Sequence, residues 1–134
     1  MEKETEETGL VMIDSSIFVD HFRDYTPAVA FFRSLSNKKN KVLFSAITEI
    51  ELMSGKSCND YNIKITILNM LNSFKKIVVD NQIVLRAGEL CRKYGIDLPD
   101  AIIAATALVN GAELFTKNIS NFHNIPNLKV KDPY

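Results

Sequence analysis

DLPDAIIAATALVNGAELFTKNISNF, residues 97–122, reads as a helix that turns back into a strand and ends in a polar loop. Pro99 suits the first position of a helix, where its missing N–H costs nothing. Ala101, Ala104, Ala105 and Ala107 thin the segment 98–111, so this helix can approach a neighbouring layer closely. Gly111 closes it, since the residue past a helix end often takes the left-handed conformation that glycine adopts freely. ELFT (113–116) then reads as a short strand. A helix that delivers the chain to an apolar strand is half of a βαβ unit, and such units make neighbouring strands parallel.

The same alternation runs upstream and downstream. LVMI (10–13) reads as a strand, DSSIFVDHF as a turn into a helix, and TPAVAFFRSL (26–35) as a helix with proline at its start. KVLFS (41–45) is a second strand, and AITEIELMSG (46–55) a short helix stopped by Gly55. Residues 60–73 place Ile63, Ile67, Met70 and Leu71 on one helical face. KKIVVD (75–80) reads as a third strand, NQIVLRAGELCRKYG (81–95) as a helix closed by Gly95, and LKVK (128–131) as the last strand. These strands lack long polar alternation, which fits a sheet covered by helices on both faces.

Composition narrows the class. The chain has 134 residues and is 46% hydrophobic, enough for one core without disulfides. Its apolar runs fall short of the roughly 20 residues that cross a bilayer. The start, MEKETEETGL, lacks the apolar core of a secretory signal, so residues 1–8 are expected to be an acidic tail and residues 9–134 one domain. Cys58 and Cys91 form no close metal-type pair and read as reduced thiols of a cytoplasmic protein. Net charge is zero, but the tail carries four acids and one base, leaving 15 bases against 12 acids in the body. A mildly basic body with acids at strand ends suits an enzyme acting on phosphates.

Ligands of open parallel sheets bind at the carboxyl ends of strands, where strand order reverses. Asp14 directly follows the first strand, Asp100 opens a helix, and Glu51 lies in the helix after the second strand. Thr116, Asn118 and Asn121 follow the fourth strand. Each acid has a bland role too. Asp14 can cap a helix, Glu51 can close a Thr48-x-x-Glu51 capping box, and Asp100 can simply face a helix dipole. Ile47, Ile50 and Ser54 share the side of the helix that carries Glu51, so its carboxylate is expected among partly apolar neighbours, where it needs a partner or a cation. Glu49 reads as solvent-facing or as a dipole partner of the first turn. Together the acids match the oxygen-rich set that Mg²⁺ or Mn²⁺ prefers, and such an ion activates water against a phosphate. Phe18, Phe22, Phe31 and Phe32 are expected mainly in the core, with the last three as candidates for a partner groove. His21 and His123 read as surface or boundary residues.

The four segments VMIDSSIFVD, SAITEIELMSG, LPDAIIAATAL and FTKNISNF resemble, in order and spacing, the motif regions of PIN-domain nucleases, and in particular of VapC toxins from toxin–antitoxin pairs. The resemblance covers residues 10–134. It implies an α/β/α sandwich with a mainly parallel five-stranded sheet, and Mg²⁺- or Mn²⁺-dependent endonucleolytic cleavage of RNA that leaves 5′-phosphate and 3′-hydroxyl ends. Carried over by motif, Asp14, Glu51 and Asp100 are the catalytic and metal-binding acids, with Ser15, Ser16 and Thr116 as polar supports. It also implies a homodimer, a cognate antitoxin across the groove, and an RNA substrate, with tRNA among the candidates. Relatives often carry a fourth acid in the last motif, where this chain has Asn118 and Asn121. Asparagine offers a carbonyl oxygen without charge, so a second metal is expected to bind more weakly, with Asn118 or Asn121 orienting water. Two other classes are open: a domain that binds RNA or protein without cleaving, and a phosphoacceptor module. The second needs an adjacent acidic pair near the first strand, and VMIDSS has one acid.

Overall fold

The computed structural model describes residues 8–134. Its strands are β1 (Val11–Ile13), β2 (Val42–Ser45), β3 (Lys75–Ile77), β4 (Glu113–Phe115) and β5 (Val130–Lys131). Its helices are α1 (Ser15–Phe22), α2 (Thr26–Ser34), α3 (Ala46–Met53), α4 (Tyr61–Leu71), α5 (Asn81–Tyr94) and α6 (Leu98–Asn110). The five strands form one sheet in the order β3-β2-β1-β4-β5, and every pair is parallel. The chain steps outward from β1 to β2 and β3, then crosses back to set β4 and β5 on the other side of β1. Strand order therefore reverses between β1 and β4.

Alternation along the strands builds two cores. Met12, Leu43 and Leu114 join Ile83 and Leu90 of α5 and the alanines of α6. Ile13, Val42 and Phe44 point the other way and join Phe18 of α1, Phe32 of α2, and Ile67 and Leu71 of α4. Helices thus cover both faces, giving the three-layer α/β/α sandwich that the sequence implies. Every residue of β2 is buried. Each large side chain enclosed this way contributes on the order of 1.5–3 kcal/mol, so the central strands fix the frame on which the loops sit. The described residues contain no helix long and apolar enough to cross a membrane.

Several expectations are corrected. β3 stops at Ile77, where the sequence suggested a strand to residue 80; Val78 is 61% exposed. The cause lies in its partner. Ile77 pairs with Ser45, the last residue of β2, and beyond it the chain turns into α3, so nothing remains for residues 78–80 to pair with. α3 ends at Met53 with Ser54 as its cap, two residues before Gly55, which is extended. In α4 only Ile67 and Leu71 are buried; Ile63 is 40% exposed and Met70 half-buried. Most of the acidic tail lies outside the described residues. Thr8, its last residue, is tied down: its hydroxyl donates to the Gly111 carbonyl at 2.7 Å, and its own carbonyl accepts from Lys41 Nζ at 3.2 Å. Gly95 and Gly111 close α5 and α6 in the left-handed conformation, as expected.

Candidate active site

Asp14 extends the β1–β4 ladder by one bond, its N–H donating to the Phe115 carbonyl at 3.0 Å. This places it at the carboxyl end of β1, at the point where strand order reverses. It is 6% exposed. Oδ1 accepts from the Ser15 N–H at 2.8 Å and so caps α1. Oδ2 accepts from Thr116 Oγ1 at 2.7 Å and from Ser16 Oγ at 3.3 Å. The helix-cap role and a site role therefore coexist in one carboxylate. The supports are themselves held: Thr116 Oγ1 accepts from the Asn118 N–H at 3.0 Å, and Ser16 Oγ accepts from the Lys117 N–H at 3.2 Å. Thr116 is wholly buried. The loops after β1 and β4 are thus locked to one another through Asp14.

Glu51 approaches from α3. The cap of that helix is Ser45, whose Oγ accepts from the Ile47 N–H at 3.1 Å. The Thr48-x-x-Glu51 capping box does not form: Thr48 lies within the helix, fully buried, and among the described residues its hydroxyl has no partner. Glu51 is exposed, and Ile50, expected to shelter it, is 65% exposed. Its apolar neighbours come from other helices instead. Glu51 stands at the rim of a groove of about 640 Å³ whose walls include Val19 and Phe22 of α1 and Ile63 and Ile67 of α4. Partial desolvation there raises its carboxyl above the ordinary range; the hydrogen bond from Ser15 opposes this, and the charges of Asp14 and Asp100 add to it. Glu49, on the same helix, instead pairs with Lys76 of β3 at 3.2 Å.

Asp100 lies in the first turn of α6, with Pro99 at the second helical position rather than the first. Ala101, Ala104, Ala105 and Ala107 are all fully buried, so the thin face of α6 does lie against the core. Desolvation raises the Asp100 carboxyl, as do the charges of Asp14 and Asp97, and a hydrogen bond from Asn121 opposes them. That bond runs from Asn121 Nδ2 to Asp100 Oδ2 at 3.3 Å. A carboxylate oxygen can only accept, so Asn121 presents its amide N–H₂ and not the carbonyl oxygen expected of it. Asn118 enters the network through its backbone N–H.

Glu51 feels the charges of Asp14 and Asp100, Asp100 feels that of Asp14, and among the described residues no lysine or arginine forms an ion pair with any of the three. Nor do any three His, Cys, Asp or Glu side chains among these residues gather tightly enough to enclose a metal ion. The cluster is therefore open. Asp14 is fixed by its donors, while Glu51 and Asp100 stand at more exposed positions. Repelling oxygen donors that form no ion pair among the described residues suit a hard divalent cation.

Some contacts near the site carried no sequence signal, although Lys117 itself is a candidate for the lysine that a phosphoacceptor module needs. Lys117, beside Thr116, pairs with Asp132 at 2.7 Å and lies 4.2 Å above the Tyr134 ring. Tyr134 donates its hydroxyl to Asp20 of α1 at 2.8 Å. Burial pushes the Tyr134 phenol well up, and the neighbouring Asp20 adds to this. Of the phenylalanines, Phe22 lines the groove, whereas Phe31 packs on Phe115 and Phe32 on Phe18. His21 packs edge-on against Phe22 and Phe32, and His123 is exposed.

Comparison with known proteins agrees with this fold. The profile of the PIN domain family matches residues 11–128. Ribonuclease VapC19 of Mycobacterium tuberculosis is 32% identical over 127 residues, which span 88% of this chain and 96% of that protein. Ribonuclease VapC1 of Methanocaldococcus jannaschii is 26% identical over 130 residues, 93% of this chain and 88% of its own. Among solved structures, a toxin–antitoxin complex from Klebsiella pneumoniae aligns with a TM-score of 0.77 at 31% identity, covering 92% of this chain and 98% of that one. DNA-bound VapBC from Salmonella typhimurium aligns at 0.79 and 22% identity over 93% and 98% of the two chains, a likeness of fold.

Proposed function

The chain belongs to the PIN-domain family, and from that premise we propose that it is a cytoplasmic, metal-dependent endoribonuclease, the toxin of a toxin–antitoxin pair. The observation that carries the reading is Asp14: a buried carboxylate at the strand-order reversal, held by three donors, with Glu51 and Asp100 close enough to feel its charge. An RNA phosphate would be repelled by this cluster alone, so substrate and cluster are compatible only with a cation between them.

Asp14, Glu51 and Asp100 are the residues that would hold Mg²⁺ or Mn²⁺. When bound, the ion supplies charge neutralisation at the phosphate and a water acidified for attack. Thr116 and Ser16 keep Asp14 in one orientation, and Ser15 does the same for Glu51. Cleavage of the P–O3′ bond by water leaves a 5′-phosphate and a 3′-hydroxyl. Glu51 lines a groove whose walls combine apolar Val19, Phe22, Ile63 and Ile67 with polar Arg23, Asn62 and Thr66, a place for an amphipathic segment of an antitoxin to cover the site. Related chains are solved in such toxin–antitoxin complexes. Ile50, Val78, Val79, Val84 and Leu85 are large apolar residues left exposed, which supports assembly as a homodimer.

The deciding experiment incubates purified protein with structured RNA, tRNA included, in Mg²⁺, in Mn²⁺ and in chelator, beside Asp14→Asn and Asp100→Asn. Ion-dependent cleavage that either substitution abolishes is the expected result. Equal cleavage by all three proteins would overturn the proposed site. RNA binding without cleavage would favour a domain that has kept the surface and lost the chemistry, a reading that the asparagines at 118 and 121 make specific.

A further inference from the structure

Asn121 occupies an unusual position for a neutral residue: 3.3 Å from a carboxylate in a cluster that has no counter-charge among the described residues. Both ends of that bond are fixed from below. On one side, the short turn Ile119–Asn121 is closed by the Asn121 N–H donating to the Asn118 carbonyl at 3.0 Å. The next residue, Phe122, is 1% exposed and packs in the core shared with α5 and α6. On the other side, Asp100 rides on α6, whose next residue Ala101 is fully buried in the same core. Packing of Phe122 and Ala101 thus sets the backbone positions from which the exposed Asn121 amide and the Asp100 carboxylate meet.

We propose that Asn121 is a positioning residue for Asp100: it donates to Oδ2, holds the carboxylate in one orientation, and is not itself a ligand. The inference rests on the reading of Asp14, Glu51 and Asp100 as the cation-holding acids. Its chemistry is that of an amide that must turn its N–H₂ toward an acceptor, which turns its own carbonyl oxygen away. An acid at position 121 could not do this, because two ionised carboxylates at hydrogen-bonding distance repel. The chain thus exchanges one negative charge for a fixed orientation of another. Partners of this kind commonly change metal affinity 10–100-fold when removed.

The test measures binding of Mn²⁺ alone, by the loss of the free-ion EPR signal, for wild type, Asp100→Asn, Asn121→Leu, Asn121→Ala and Asn121→His, with a thermal melt of each. Leucine keeps the branched shape and removes the donor; alanine repeats the loss with a smaller group. Histidine can place its Nδ1–H where the amide N–H stood. Leucine and alanine are expected to weaken Mn²⁺ binding roughly tenfold, the low end of that range because Asn121 is exposed. Histidine should stay within about twofold of wild type by the same comparison. Unchanged binding in the leucine and alanine variants, with Asp100→Asn impaired, would overturn the positioning role and leave the cation site standing. Equal loss in the leucine and histidine variants, or a loss that follows the melting temperature alone, would overturn it as well. Wild type that binds no Mn²⁺ would overturn both.

Discussion

A buried carboxylate is only as useful as the groups that hold it, and Thr116 supplies the shortest hydrogen bond to Asp14. Thr116→Val keeps the shape and deletes the donor. It should cost about 1.5–3 kcal/mol, the usual value of a hydrogen bond to a charged group, read as a lower urea midpoint, while Thr116→Ser should retain most of it. Asp100 behaves in the opposite sense. Its proton is held more tightly in the folded protein than in the unfolded chain, so stability is lost as pH rises from the ordinary aspartate range through the raised folded value. In metal-free buffer at pH 7, Asp100→Asn should therefore melt higher than wild type, whereas with Mg²⁺ added wild type should cleave RNA and the variant should not. The gain should shrink as the melt is repeated at pH values falling into the ordinary carboxylate range. A variant that melts no higher at neutral pH would mean that the crowding of charge costs the fold nothing. The positions of Asp14 and Asp100 in the fold were legible in the sequence because strand ends and helix starts can be read locally, whereas the surroundings of Glu51 within α3 were not. The direction of the Asn121 hydrogen bond was not, since it depends on a partner 21 residues away.

At the level of elements, α6 sets the site through its thinness. Its alanines are fully buried, so any added volume must move the helix or its neighbours. Ala104→Leu should destabilise by roughly 1–3 kcal/mol through overpacking and reduce cleavage more than Ala→Leu at an exposed helix position, measured by chemical denaturation and initial rates side by side. The sequence revealed α6 well because its proline start, alanine face and glycine stop are all local signals. It revealed β1 and β2 for a related reason, as strands buried on both faces carry apolar runs. The end of β3 was hidden because strand length is set by the partner: KKIVVD has the composition of a strand throughout, but β2 offers pairing only as far as Ser45. The orientation of α3 was hidden likewise. Thr48 and Leu52 face the core and Ser45 is the cap, and which side of a short helix meets the core depends on the layers packed against it.

For the whole molecule, Ile50, Val78, Val79, Val84 and Leu85 are among the large apolar residues left exposed, and a second copy of the chain is the partner proposed for them. If they meet a second copy, Leu85→Glu, at a site 75% exposed and therefore harmless to the monomer fold, should convert a dimer to a monomer in light scattering without lowering the melting temperature of the monomer. A wild type that runs as a monomer at every concentration would remove the dimer from the proposal. The layered architecture was legible because alternating strands and helices permit few arrangements. The tether from Lys117 through Asp132 and Tyr134 to Asp20 was not, because it joins parts of the chain that only the finished sheet brings together. The same geometry has a temporal side. Asp14 and Thr116 are separated by 102 positions, and β4 must insert beside β1 before they meet. A ribosome that has made three quarters of this chain has released the first acid but not the strand that secures it, and domains generally form as units while synthesis proceeds from the amino end. The first acid therefore waits on a strand made about a hundred residues later, and its orientation is set only once β4 lies beside β1.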